Sequence, residues 1–80
     1  MTVQDVLNVM FDKDVIQIRD VSLEDEDEDV AILYFNRKEY LYDKSIKCKN
    51  VIKMSPGSFI VTNTYTDEQR NELGIMLWVY

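Results

Sequence analysis

Residues 73–80 read Leu-Gly-Ile-Met-Leu-Trp-Val-Tyr, and this stretch decides the fold because it forms a strand that is apolar on both sides. Successive side chains of a strand point to opposite faces, so Ile75, Leu77 and Val79 share one face. The other face carries Met76, Trp78 and Tyr80. A strand with two apolar faces is typical of the interior of a sheet that is covered on both sides.

The N-terminal segment predicts one helix that can provide half of this cover. Thr2 and Asp5 have the spacing of an N-cap and its reciprocal acid, and apolar residues then recur at helical spacing, which places the helix at about 2–11. The opposite face of the sheet needs another partner. We therefore expect a homo-oligomer whose interface contains Met76, Trp78 and Tyr80, unless residues 39–50 fold over that face.

The remaining strands are predicted from β-branched and aromatic runs. Residues 15–19 form a strand with Ile16 and Ile18 toward the core, and residues 30–35 and 39–42 form a hairpin. Residues 51–54 and 59–65 form a second hairpin around the turn sequence Ser-Pro-Gly-Ser at 55–58.

The sequence leaves the local structure undecided at two places. Residues 43–50 suit an edge strand or a short helical turn, and Gly74 indicates a bulge or a close backbone approach. The sequence as a whole predicts a single domain over residues 1–80 of the α+β class. Its N-terminal amphipathic helix packs on a mainly antiparallel sheet of four to six strands.

Composition narrows the function classes. The chain is 46% apolar, which predicts folding rather than disorder, and it contains no run that could span a bilayer and no basic and apolar leader segment. It has no histidine, and Cys48 is its single cysteine. The commonest general base, the commonest zinc ligand and any intrachain disulfide are thereby excluded. We expect a cytoplasmic protein, not an enzyme, without cofactor or metal.

The acidic run, defined as Glu24, Asp25, Glu26, Asp27, Glu28 and Asp29, is the densest charge feature. Residues 1–29 hold ten acidic and two basic side chains, whereas residues 30–80 hold five acidic and seven basic ones. A calcium loop starting at Asp25 would require Gly where Val30 stands. The run is either a solvated loop that keeps the protein soluble or an anionic surface that binds a basic partner protein. A sequence pI near 4.4 argues against direct nucleic-acid binding.

Basic and aromatic residues alternate in the predicted first hairpin. Arg37, Lys38, Tyr40 and Tyr42 are candidates for a ligand site or a second interface, because tyrosine rings stack on bases and guanidinium groups bind phosphate. The same residues also suit ordinary sheet packing and protection of an edge strand. With two glycines in the chain, a glycine-rich phosphate loop is excluded.

The opening Thr2-Val3-Gln4-Asp5-Val6-Leu7, the acid-rich interruption of a hairpin and the ending 75–80 together resemble small acidic αβ proteins encoded by phages and mobile elements of low-GC Gram-positive bacteria. That class includes anti-CRISPRs and other inhibitors of host defence. The resemblance implies inhibition by binding in the host cytoplasm, and it carries over no site residue. We expect an interaction protein whose acidic run occludes a basic nucleic-acid-binding surface. The alternatives are an anionic nucleotide binder and a structural or assembly subunit.

Overall fold

Four strands form one mixed sheet in the computed structural model, which describes residues 1–23 and 31–80. The strands are β1 (Val15–Asp20), β2 (Ile32–Arg37), β3 (Val51–Thr62) and β4 (Gln69–Val79). Two short α-helices, α1 (Val3–Leu7) and α2 (Lys44–Lys47), accompany them, with 3₁₀ turns at Val21–Leu23 and Lys38–Tyr40. The α+β class and a sheet of four strands are confirmed. None of the described helices is long and apolar enough to cross a membrane.

The strand order β2-β1-β4-β3 places the C-terminal strand inside the sheet. β4 pairs antiparallel with β3 and parallel with β1, where Ile18 lies opposite Leu77. β1 pairs antiparallel with β2. The interior position predicted for residues 73–80 is therefore confirmed. Two of the three pairings are antiparallel, as predicted, and the pairing of the two central strands is parallel.

One face of the sheet, which we call the helix face, carries the main core. Val3, Val6 and Leu7 of α1 pack there against residues of the two central strands. The sheet side of this core consists of Ile16, Ile18, Leu77 and Val79, all fully buried. This is the packing expected from the alternation of apolar residues in β1 and β4.

The N-terminal helix begins where predicted but is much shorter. Thr2 Oγ1 accepts from the backbone N–H of Asp5, and Asp5 accepts from the backbone N–H of Thr2, so the capping box is present. The predicted extent of 2–11 is wrong, because the helix ends at Leu7 and Phe11 is 80% exposed. Asn8 and Val9 are weak helix formers and Val9 is 82% exposed, so the helix ends at Leu7 although Met10 is still buried in the core.

The predicted turn at 55–58 is also wrong, because β3 runs through it without interruption. The actual turn is closed by Asn63, whose N–H donates to the carbonyl oxygen of Glu68 at 2.8 Å. Hydrogen-bonded pairs alternate along an antiparallel ladder, so Pro56, opposite Ile75, lies in a non-bonded pair with its missing N–H toward the free edge of the sheet. Proline is tolerated in that position of an edge strand.

Residues 38–50 do not continue the sheet. The predicted strand 39–42 is wrong, because Lys38–Tyr40 is a 3₁₀ turn and Leu41 is buried in the helix-face core. Within 43–50 the helical turn is correct rather than the edge strand, since Asp43 caps α2 by accepting from the N–H of Ser45 at 2.8 Å. This segment packs on the helix face, so it does not cover Trp78.

The opposite face, which we call the open face, holds a small second cluster around Phe59. β3 and β4 extend past the start of β1 as a two-stranded arm, residues 58–62 and 69–73. The ring of Phe59 lies over Gly74 and reaches Phe35 of β2, with 5.0 Å between the ring centres. A Cβ at Gly74 would overlap the backbone oxygen of Val15, so the expected close backbone approach is confirmed. The arm therefore bends over the open face toward β2.

Candidate functional site

The acidic run lies outside the described residues, but the chain on both sides of it is described. β1 ends at Asp20, whose Oδ1 accepts from the hydroxyl of Ser22 at 2.6 Å and from its N–H at 2.9 Å. Lys49 Nζ lies 3.6 Å from Oδ2 of the same carboxylate. Hydrogen bonds from Ser22 and the Lys49 charge lower the pKa of Asp20. On the far side Ala31 is fully buried, immediately before β2. Both attachment points of the run are thus fixed in the sheet.

Arg37, at the end of β2, is held in a defined orientation. Its Nη1 donates to the carbonyl oxygen of Lys13 at 2.7 Å, and its Nη2 donates to Oε1 of Glu72 in the arm at 3.0 Å. The same Glu72 oxygen lies 3.4 Å from Nη2 of Arg70. The hydrogen bond from Arg37 lowers the pKa of Glu72 and raises the pKa of Arg37. Two guanidinium groups therefore share one carboxylate oxygen.

A cleft of about 540 Å³ opens beside these arginines, between the 3₁₀ turn at 38–40 and the tip of the arm. Its polar lining consists of Arg37, Tyr40, Thr62, Asn63, Thr64, Tyr65 and Arg70. Tyr65 is 97% exposed and Tyr40 is 53% exposed, so both rings present free surface. A second cavity of about 220 Å³ adjoins the cleft and shares Arg37, Val61 and Thr62 with it. Its other apolar lining comes from Val15, Phe35 and Ile60. The combined site has a basic aromatic end and an apolar end.

Only two of the four residues predicted for this ligand site lie in the cleft. Arg37 and Tyr40 line it, whereas Lys38 donates from Nζ to the carbonyl oxygen of Met10 at 3.0 Å, and Asp12 lies 3.7 Å away. Tyr42 is exposed but does not line the cleft. The structure thus separates Lys38 and Tyr42 from the pair that the sequence grouped with them.

Sequence reasoning missed Tyr65 and Arg70, the two residues that complete the cleft. Tyr65 lies in the turn of the arm and Arg70 near the start of β4, far along the chain from Arg37. No local pattern connects them, because the arm reaches β2 only through the bend around Phe59 and the Arg37–Glu72 ion pair. Only a predicted contact between the segment 30–42 and the hairpin of β3 and β4 could have indicated that these residues lie together.

The predicted oligomer interface lies on the open face. Met76 and Trp78 are half-buried there, and Tyr80, the last residue, is 61% exposed. Lys53 of β3 places Nζ 4.8 Å from the centre of the Trp78 ring, a cation–π distance. Arg19, opposite Trp78 in β1, has a buried Nε with no hydrogen-bond partner among the described residues. Trp78 is therefore flanked by cations on both neighbouring strands.

Two further predictions concern reactive groups. Cys48 is an exposed free thiol just after α2, not a strand residue. Within residues 1–23 and 31–80, no group of three or more cysteine, aspartate or glutamate side chains could hold a metal ion.

No protein-family model, no curated protein and no solved structure matches this chain.

Proposed function

We propose that this chain is a non-enzymatic interaction protein whose acidic run binds a basic surface of a partner protein. The acidic run carries six adjacent negative charges. The neighbouring segments 21–23 and 30–36 contain no basic residue that could offset them. Such a run complements a surface that otherwise binds nucleic-acid phosphate, and its field accelerates encounter with that surface. The finer proposal is occlusion, by an inhibitor of a host defence system of the anti-CRISPR type, encoded by a phage.

The observation that carries this proposal is the anchoring of the acidic run. Its two attachment points are the buried Asp20, fixed by Ser22 and Lys49, and the buried Ala31. Asp20 ends β1 and Ala31 directly precedes β2, and these two strands are antiparallel neighbours, so both attachment points lie at the same end of the sheet. Preorganised attachment reduces the entropy that is lost when a charged segment binds.

The test compares three baits in a pull-down from lysate of a low-GC Gram-positive bacterium. The first is the wild type, and the second carries Glu24→Gln, Glu26→Gln and Glu28→Gln. The third is a control with the same change in net charge, made at exposed carboxylates outside the run: Asp12→Asn, Asp67→Asn and Glu68→Gln. A basic protein recovered by the wild type and the control, but not by the run variant, supports the proposal.

The recovered protein is then tested for nucleic-acid binding with and without this chain. Occlusion predicts competition that weakens steeply between low and high salt, because exposed charges are screened over about 8–10 Å at physiological ionic strength. Equal recovery by the run variant would refute a role for the acidic run. Recovery without competition would refute occlusion while leaving the interaction itself supported.

A further inference from the structure

The cleft beside Arg37 combines charge and exposed aromatic surface in a way that packing alone does not require. Arg37 and Arg70 face the single carboxylate of Glu72, at 3.0 and 3.4 Å from one oxygen. This leaves one positive charge uncompensated among the three groups. The side chain of Arg70 is 69% exposed, so its remaining donors are accessible. An arginine fork matches the oxygens of a phosphate group, and two forks from different elements can approach it from two sides.

Aromatic rings line the same cleft on both of its walls. Tyr40 lies on the 3₁₀ turn and Tyr65 on the arm, and both are exposed. Stacking of a nucleobase on a solvent-exposed aromatic ring is favourable. Any of the bases can stack in this way, because each has a π face. Thr62 and Asn63 add hydroxyl and amide groups suited to a sugar. The volume, about 540 Å³, lies within the range of roughly 300–1,000 Å³ typical of small-molecule sites.

We propose that this cleft binds a nucleoside monophosphate. Arg37 and Arg70 bind the phosphate, and the ring of Tyr65 stacks on the base, with Tyr40 on the opposite wall. The cleft lies beside the start of β1, whereas the attachment points of the acidic run lie at its other end. The proposal differs from the grouping suggested by the sequence, because Tyr65 and Arg70 replace Lys38 and Tyr42.

Glu72 makes the proposal testable in two directions. Removing its charge leaves two arginines without a carboxylate, so Glu72→Gln raises the positive charge of the cleft while keeping an oxygen that can accept from Arg37. Arg70→Gln lowers that charge. Opposite effects of two neighbouring substitutions on phosphate binding are expected only for a ligand that contacts this site.

The experiment measures binding of adenosine 5′-monophosphate, guanosine 5′-monophosphate, adenosine and inorganic phosphate by calorimetry and by NMR shifts of the backbone amides. Either nucleotide should bind more tightly than adenosine or phosphate, with shifts centred on residues 62–65 and 70. Arg70→Gln should weaken nucleotide binding about tenfold, the effect of one lost charge-assisted hydrogen bond. Lys44→Gln removes the same charge from an exposed side chain that does not line the cleft, and it should leave nucleotide binding unchanged.

Two tyrosine variants separate stacking from charge. Tyr65→Ala should weaken nucleotide binding but leave phosphate binding unchanged, and the matched Tyr42→Ala, outside the cleft, should affect neither. Circular dichroism confirms that each variant is folded. The proposal is overturned if neither nucleotide binds at millimolar concentration or if the shifts map elsewhere. It is also overturned if a tetraglutamate peptide binds this cleft more tightly than both nucleotides, which would identify an acidic peptide site.

Discussion

The two glycines under the Phe59 ring should respond very differently to the same substitution. Neither has a positive φ, so the difference rests on space and not on backbone conformation. A Cβ at Gly74 would overlap the backbone oxygen of Val15, which belongs to the neighbouring parallel strand and cannot move without disturbing the register of β1 and β4. A Cβ at Gly57 would meet Cζ of Phe59 at 2.9 Å and Cγ of Met76 at 3.1 Å.

The expected magnitudes follow from these contacts. Overpacking against an immovable neighbour costs about 1–3 kcal/mol, so Gly74→Ala should lower the free energy of unfolding by that amount. At Gly57 the contacts are with side chains, which shift more easily than backbone, and the reduced entropy of the unfolded chain offsets about 0.4–1 kcal/mol, so Gly57→Ala should cost less than Gly74→Ala. A domain of 80 residues has a total stability of roughly 4–12 kcal/mol, so both variants should fold.

Urea unfolding followed by circular dichroism and by the fluorescence of Trp78, the only tryptophan, measures both variants. At about 4–8 °C per kcal/mol, Gly74→Ala should also lower the Tm by roughly 5–20 °C. Equal losses in the two variants would mean that Phe59, and not the β1 backbone, limits the space. An unchanged stability of Gly74→Ala would refute the close approach of the two central strands.

Three other predictions concern charge, assembly and the thiol. Arg37 lowers the pKa of Glu72 from its ordinary value of 4.5, so the ion pair stabilises the fold fully above pH 4.5 and this stabilisation is lost as the pH falls through the lowered pKa. Glu72→Gln should therefore weaken the fall in unfolding free energy with decreasing pH. An unchanged fall would contradict the role of the ion pair. Light scattering coupled to size-exclusion chromatography should show an oligomer that Trp78→Ser dissociates, since no second layer covers Trp78 on the open face among the described residues. A wild-type monomer at tens of micromolar would refute it. Cys48→Ser should preserve partner binding, because the exposed thiol has no proposed role in binding or catalysis. Loss of activity in a folded variant that still binds its partner would reopen the question of catalysis.

The sequence by itself determined those features that depend on neighbouring residues. The capping box of Thr2 and Asp5, the inward side chains of β1 and the two apolar faces of residues 75–80 all follow from local spacing. These features were sufficient for the α+β class and for the interior position of the last strand. They did not determine lengths, because the apolar spacing continues to Met10, which is buried in the core, yet the helix ends at Leu7, where the weak helix formers Asn8 and Val9 follow.

Only the tertiary structure decided the pairing partners, and the cleft depends on them. The parallel register of β1 and β4 joins segments separated by most of the chain, and Pro56 is accommodated because β3 is an edge strand. Arg37 and Arg70 meet because Phe59 bends the arm over Gly74 and Glu72 bridges both guanidinium groups. Each of these contacts contributes little stability without the others, and none can be recognised from a local sequence pattern. Long-range pairing is selected by the cooperative burial of the whole sheet, which no short stretch of sequence encodes.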